Sequence, residues 1–152
     1  MTRTCRMPLL IAALLVAWTS TGHAFKADDA AKLKKTNRCE NCDLAGILMH
    51  GADLSGAVMT GSNLTAASFD EANLTNADLR QADLGGVDFG QANLTNAELQ
   101  NSNLSGAFLR RTNLTGANLT GADMDTAMVA DVIFCHTTMP SGRIRRPNCG
   151  GS

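Results

Sequence analysis

The sequence predicts an all-β fold: a chain that turns a corner every five residues, always in the same sense, and so winds into a prism. Three observations predict it. Every fifth residue from Leu44 to Phe134 is apolar, nineteen in all: twelve Leu, three Met (Met49, Met59, Met124), three Phe (Phe69, Phe89, Phe134) and Val129. Two residues before these centres, sixteen positions hold Ala, Ser, Thr or Cys. One residue before them, twelve hold Asp or Asn. Neither regular element fits this period. On an α-helix five residues advance about 140° net, so the leucines would spiral round the whole surface. On a strand five is odd, and successive leucines would face opposite sides. A corner in each five turns every centre, and the small residue before it, toward the axis. The other three residues of each five then face water. Gly and Asn recur near the corners, as in Gly46, Gly51, Asn76 and Gly116, where they suit tight turns.

The elements follow in chain order. Residues 1–24 read as a signal peptide. Arg3 and Arg6 form a basic start, Leu9 to Trp18 is an unbroken apolar run, and Gly22-His23-Ala24 places small residues before a cleavage point at Phe25. Ten apolar residues are too few to span a bilayer, which needs about 20. The expected product is exported and not inserted in the membrane. Residues 25–152 keep 11 basic and 14 acidic residues and four cysteines, Cys39, Cys42, Cys135 and Cys149. An even cysteine number in an exported chain points to disulfides.

Residues 25–41, FKADDAAKLKKTNRCEN, place Asp28 and Asp29 ahead of Ala30, Ala31 and Leu33, with Lys32, Lys34 and Lys35 after them. Acid first and base last suits a short helix. We expect an N-terminal helical cap over the first coil.

Residues 42–136 carry the repeats. Their runs of A(D/N)LxG and A(D/N)LxN resemble the pentapeptide-repeat family. The resemblance implies a right-handed quadrilateral β-helix with four fives per coil. The sequence lends that four some support: Asn-Leu-Thr recurs at 73–75, 93–95 and 113–115, and Phe69 and Phe89 are also twenty apart. Residues 42–136 would then make about five coils, ~23 Å tall at the strand spacing of a sheet. Such a column leaves an open sheet edge at each end, which atypical terminal segments must manage.

Residues 135–149, CHTTMPSGRIRRPNC, break the register, so 137–152 reads as a C-terminal hairpin cap turning at Pro140-Ser141-Gly142. A cysteine-closed MP-G ending is similar to that of exported family members. Within the implied column, residues 39–42 and 135–149 lie near opposite ends, and a disulfide needs Cα atoms within about 7 Å. The pairs Cys39–Cys42 and Cys135–Cys149 remain. Cys42 also occupies an inward slot, so a free buried thiol is an open alternative there. The Cys-Glu-Asn-Cys motif lacks the context of a redox or haem site.

No catalytic, cofactor or metal site is expected. The two histidines after residue 24, His50 and His136, are 86 residues apart and both fall in outward positions. Carboxylate pairs recur as by-products of the repeat, and a convex prism offers no cleft. Six Asn-Leu-Thr/Ser triplets match a glycosylation pattern, but their spacing also comes from the repeat.

The reading is therefore a non-enzymatic exported repeat scaffold or protein-interaction module, periplasmic or secreted, or lumenal in a thylakoid of a photosynthetic host. It is expected to be a monomer whose partner is another protein, with no nucleic acid and no cofactor. The outward slot before the centre turns apolar at Leu48, Val58, Phe108, Met128 and Ile133. Phe108 and Met128, one coil apart and flanked by Arg110 and Arg111, are the candidate partner contact. Residues 137–149 are expected to cover Met128 and Ile133, leaving Phe108 as the better contact.

Two other readings remain. Residues 42–136 hold three Arg and eleven Asp or Glu, and the resemblance implies that an acidic column can mimic DNA and inhibit DNA gyrase, a topoisomerase. The export signal opposes that role. Asn73/Thr75, Asn93/Thr95 and Asn113/Thr115 would form a ladder on one face, able to meet a polysaccharide or ice, or simply to pair between coils.

Overall fold

The structure, a computed structural model, describes residues 25–146 and Cys149. The expected signal peptide, 1–24, lies outside the described residues. Parallel β-bridges join residues twenty apart without a slip, from Arg38–Val58 to Asn118–Thr138. The Leu44 N–H donates to the Asn63 carbonyl at 2.8 Å, and the Asn63 N–H donates to the Cys42 carbonyl at 2.9 Å; the same pair of bonds recurs coil after coil. With a corner in every five residues, a twenty-residue turn has four sides. Leu74 and Leu94 follow bridged Asn73 and Asn93 and are both fully buried.

Every corner but the one after Val129 is closed by a bond from the residue three after the centre to the centre's carbonyl, as in Ala77 N–H to Leu74 O at 3.0 Å. The residue two after the centre is left-handed, whether glycine (Gly86, φ 64°) or not (Asn76, φ 58°). That is the requirement of a type II turn. Ala66, Glu71, Gln91, Arg111 and β-branched Thr126 also occupy this position with φ between 54° and 60°. Local preference opposes them by about 1–2 kcal/mol each. Bonds from their own N–H groups to the next coil hold Ala66, Glu71, Gln91 and Arg111 there.

Leucines and phenylalanines fill the axis, and the Phe69 and Phe89 rings stack with centroids 5.6 Å apart. Polar residues in the inward small slot are satisfied by carbonyls. The Thr112 hydroxyl donates to Phe89 O at 2.8 Å, Thr137 to Leu114 O at 2.6 Å and Ser62 to Cys39 O at 2.5 Å. A buried hydroxyl without such a partner would be costly.

Helix α1 spans Ala27–Thr36, with Asp28 and Asp29 in its first turn and Lys34 and Lys35 in its last. It buries Ala30 and Leu33. Lys26 N–H donates to Asp43 O, the Asp29 carboxylate accepts the Asp43 N–H at 2.9 Å, and the Asn37 amide donates to Ser55 O. A disulfide joins Cys39 to Cys42 at 2.01 Å. At the other end β1 (Thr137–Thr138) pairs antiparallel with β2 (Ile144–Arg145), and Cys135 is bonded to Cys149 at 2.09 Å. The Arg145 guanidinium lies 4.4 Å from the Phe134 ring centroid.

Two expectations need correction here. The hairpin sits over Phe134, not over the apolar outer residues: Met128 stays 59% exposed and Ile133 38%. Val129 keeps the five-residue register yet is 53% exposed. Register alone buries a centre only when another coil lies above it, and none of the described residues stacks there.

Candidate functional site

The four faces differ at one position, the residue before the centre. Where it is Asp or Asn, from Asp53 onward, its side-chain oxygen accepts the N–H two residues on. Asn73, Asn93 and Asn113 accept from Thr75, Thr95 and Thr115 at 3.0–3.2 Å, and Asn63, Asp83, Asn103 and Asp123 do the same on the opposite face. This Asx turn satisfies a backbone donor that the corner otherwise leaves facing water.

The Asn–Thr ladder is closed on itself. The Thr75 hydroxyl donates to Asn73 Oδ1 at 2.7 Å and accepts from the Asn93 amide at 3.0 Å. Thr95 donates to Asn93 at 2.6 Å and accepts from Asn113 at 3.1 Å. Asn73 donates in turn to Asp53 Oδ1 at 3.0 Å. A third face carries Asp78, whose carboxylate takes two bonds from Arg80, at 2.8 and 2.6 Å. That fork, with some help from the Arg80 backbone, outweighs burial and holds the Asp78 carboxyl below its ordinary range. The Ser55 backbone N–H does the same for Asp53.

The remaining face carries Leu48, Ser68, Asp88, Phe108 and Met128 in successive coils. Only Asp88 makes the Asx bond, to the Gly90 N–H at 2.9 Å. The backbone N–H groups of His50, Asp70, Arg110 and Ala130 have no acceptor among the described residues. Phe108 is 44% exposed. A shallow depression of about 300 Å³ is lined by Asp88, Gly90, Phe108, Arg110, Met128 and Ala130. Gly90 makes its floor, and no left-handed φ requires glycine there; an added Cβ would lie 2.6 Å from Asp70 Oδ1. A second depression of about 290 Å³, at Thr60, Arg80, Gln81, Gln100 and Asn101, is polar, and its arginine is already engaged by Asp78.

The candidate contact residues therefore come together in part. Phe108, Met128 and Arg110 share the depression, while Arg111 stands at the adjoining corner, exposed and left-handed. Sequence reasoning passed over His50. Its Nδ1 lies 3.2 Å from Asp70 Oδ2 and its Nε2 3.9 Å from Glu71 Oε2, on this same face. The signal was present: His50 and Asp70 are twenty residues apart. His136 instead touches Cys135 Sγ at 3.1 Å.

The comparisons agree with this architecture. The chain belongs to the pentapeptide repeat family, whose model matches residues 38–70, 72–111 and 92–127 in eight copies. Proteins of this family fold as right-handed β-helices. The chain is similar to a pentapeptide repeat protein of the Arabidopsis thaliana thylakoid lumen, at 26% identity over 66% of this chain and 70% of the other, with a TM-score of 0.61. It also matches a pentapeptide repeat protein of the cyanobacterium Cyanothece 51142, at 23% identity over 74% and 95% of the two chains and a TM-score of 0.45. For HetL, a pentapeptide repeat protein involved in heterocyst differentiation regulation in Nostoc sp. strain PCC 7120, the values are 23%, 71%, 74% and 0.38. Among curated proteins no sequence matches. No helix among the described residues is long and apolar enough to cross a membrane.

Proposed function

We propose that this protein is an exported, non-enzymatic scaffold that docks a partner protein on the face of Phe108, Met128 and Arg110. One observation carries the reading. On the other faces Asx turns and side-chain ladders consume much of the outward bonding capacity, whereas this face leaves two large apolar side chains exposed beside free backbone donors. Arg110 and Arg111 form no ion pair among the described residues. The complementary partner segment is an aromatic or branched aliphatic side chain next to a carboxylate or a run of carbonyls.

In this reading the column is about five coils tall by sheet spacing, with α1 and the β1–β2 hairpin capping its ends. Export rests on the basic and apolar start of the sequence, on two disulfides and on the likeness to a thylakoid-lumen protein. The ladder reading is the weaker one, because the Thr75 and Thr95 hydroxyls already donate and accept within the ladder. The gyrase reading rests on net acidity and the family resemblance, and the export reading opposes it.

The test places a photo-cross-linking phenylalanine analogue at position 108 and, separately, at position 95, in cells that export the chain. A discrete adduct is expected from 108 alone and is abolished by Met128→Asp. Equal labelling from both faces, or none from 108, sinks the proposal. A supercoiling assay on purified protein checks the gyrase reading independently.

A further inference from the structure

We propose that His50, Asp70 and Glu71 form a binding site for a first-row divalent transition ion of the zinc class. The site lies at the N-terminal end of the docking face and does not depend on the partner reading. His50 and Asp70 occupy the same column in adjacent coils, since Leu48 bridges Ser68. The sheet therefore fixes how far apart their backbones sit. Glu71 follows at the corner, left-handed at φ 60°, and brings a second carboxylate to the imidazole.

One donor atom from each of the three residues lies within 4.8 Å of the others. His50 Nδ1 and Asp70 Oδ2 are 3.2 Å apart. Two ligands about 2.1 Å from a tetrahedral zinc stand about 3.4 Å from each other, so this pair needs almost no rearrangement. Glu71 Oε2 lies 3.9 Å from Nε2, the other ring nitrogen, so this exposed side chain must rotate toward Nδ1 to supply the third donor.

Space above the cluster is kept clear by the missing side chain at Gly90. A Cβ there would approach Asp70 Oδ1 to 2.6 Å, and the backbone gives no other reason for glycine. The surrounding column, with three arginines against eleven acidic residues over 42–136, attracts cations. One imidazole and two carboxylates suit zinc or cobalt better than calcium, which takes six to eight oxygens. Three protein donors leave positions for water or for a partner's side chain.

The rival account is a simple surface ion pair between His50 and the two carboxylates, and the two diverge on titration with metal. The full chain, oxidised and without a histidine tag, is titrated with zinc chloride by calorimetry, with cobalt absorption as a second readout. One zinc per chain is expected, along with a zinc-dependent rise in Tm. His50→Asn and Asp70→Asn each weaken binding more than about tenfold, while His136→Asn leaves it unchanged. Because His50 is exposed, its variant keeps the parent's metal-free Tm, so lost binding is not lost folding. Zinc affinity equal in parent and His50→Asn overturns the proposal. So does full displacement of zinc by equimolar calcium.

Discussion

The Asn face and the Phe108 face are built on one backbone and differ mainly in the residue before each centre. On the first, Asn93 accepts the Thr95 N–H and hydroxyl and donates to Thr75, so the surface is saturated by its own side chains. On the second, the apolar side chains of Phe108 and Met128 offer no hydrogen bond, and the N–H groups of Arg110 and Ala130 find no acceptor among the described residues. The same bridges hold both faces. The column is thus stabilised by its axis and its ladders. The outward slot decides only whether a face is closed or open to others.

That separation can be tested, beginning with the axis. Phe89, which stacks on Phe69 behind the Phe108 face, is fully buried. Phe89→Ala is expected to lower unfolding free energy by about 3–5 kcal/mol in urea titrations. A loss below about 1 kcal/mol would mean the axis is not packed as described.

Asn93→Ala, which removes three hydrogen bonds, should cost about 1–2 kcal/mol. By contrast, Phe108→Asn creates the missing Asx acceptor for the Arg110 N–H. Its stability should stay within about 1 kcal/mol of the parent, while the adduct from a cross-linking analogue placed at position 128 disappears. A large collapse for Phe108→Asn would mean that Phe108 is structural, and the contrast between faces would fail.

Thr126→Gly, at a β-branched left-handed corner (φ 59°), should stabilise by up to about 1 kcal/mol, read as a small rise in Tm.

The smallest expected effect is acid sensitivity. Arg80 depresses the Asp78 carboxyl in the folded state, so its contribution is complete above the ordinary carboxylate range. It is lost as pH falls through the lower, folded-state value. Asp78→Asn should flatten the acid limb in that window by lowering neutral stability by the small amount that the parent loses on acidification, the two proteins converging at low pH.

Much of the fold was legible because each five states its own requirements. A large apolar residue and a small one must fit the axis, and the chain must turn directly after them. Those demands are local, and Leu74, Ala77 and Asn76 satisfy them within one corner. The corner residues were only partly legible. Glycine and asparagine announce a left-handed backbone, but Glu71, Gln91 and Arg111 do not; they adopt it because ladder bonds to neighbouring coils outweigh their own preference.

The candidate site was legible in outline. Apolar residues in a polar slot marked Phe108 and Met128, while the exposure of Met128 and Ile133 followed from where the hairpin lands. His50, Asp70 and Glu71 stayed hidden because nothing adjacent in the chain links the imidazole to the carboxylates.

The amino-acid order by itself determined the period, the inward ranks and the family, since these follow from steric and solvation demands repeated within every five residues. Only the tertiary structure decided which side chains twenty residues apart meet, which end of the column stays uncovered at Val129, and which face remains open. Those outcomes depend on what lies in the coil above or below, and no stretch of five residues carries that information.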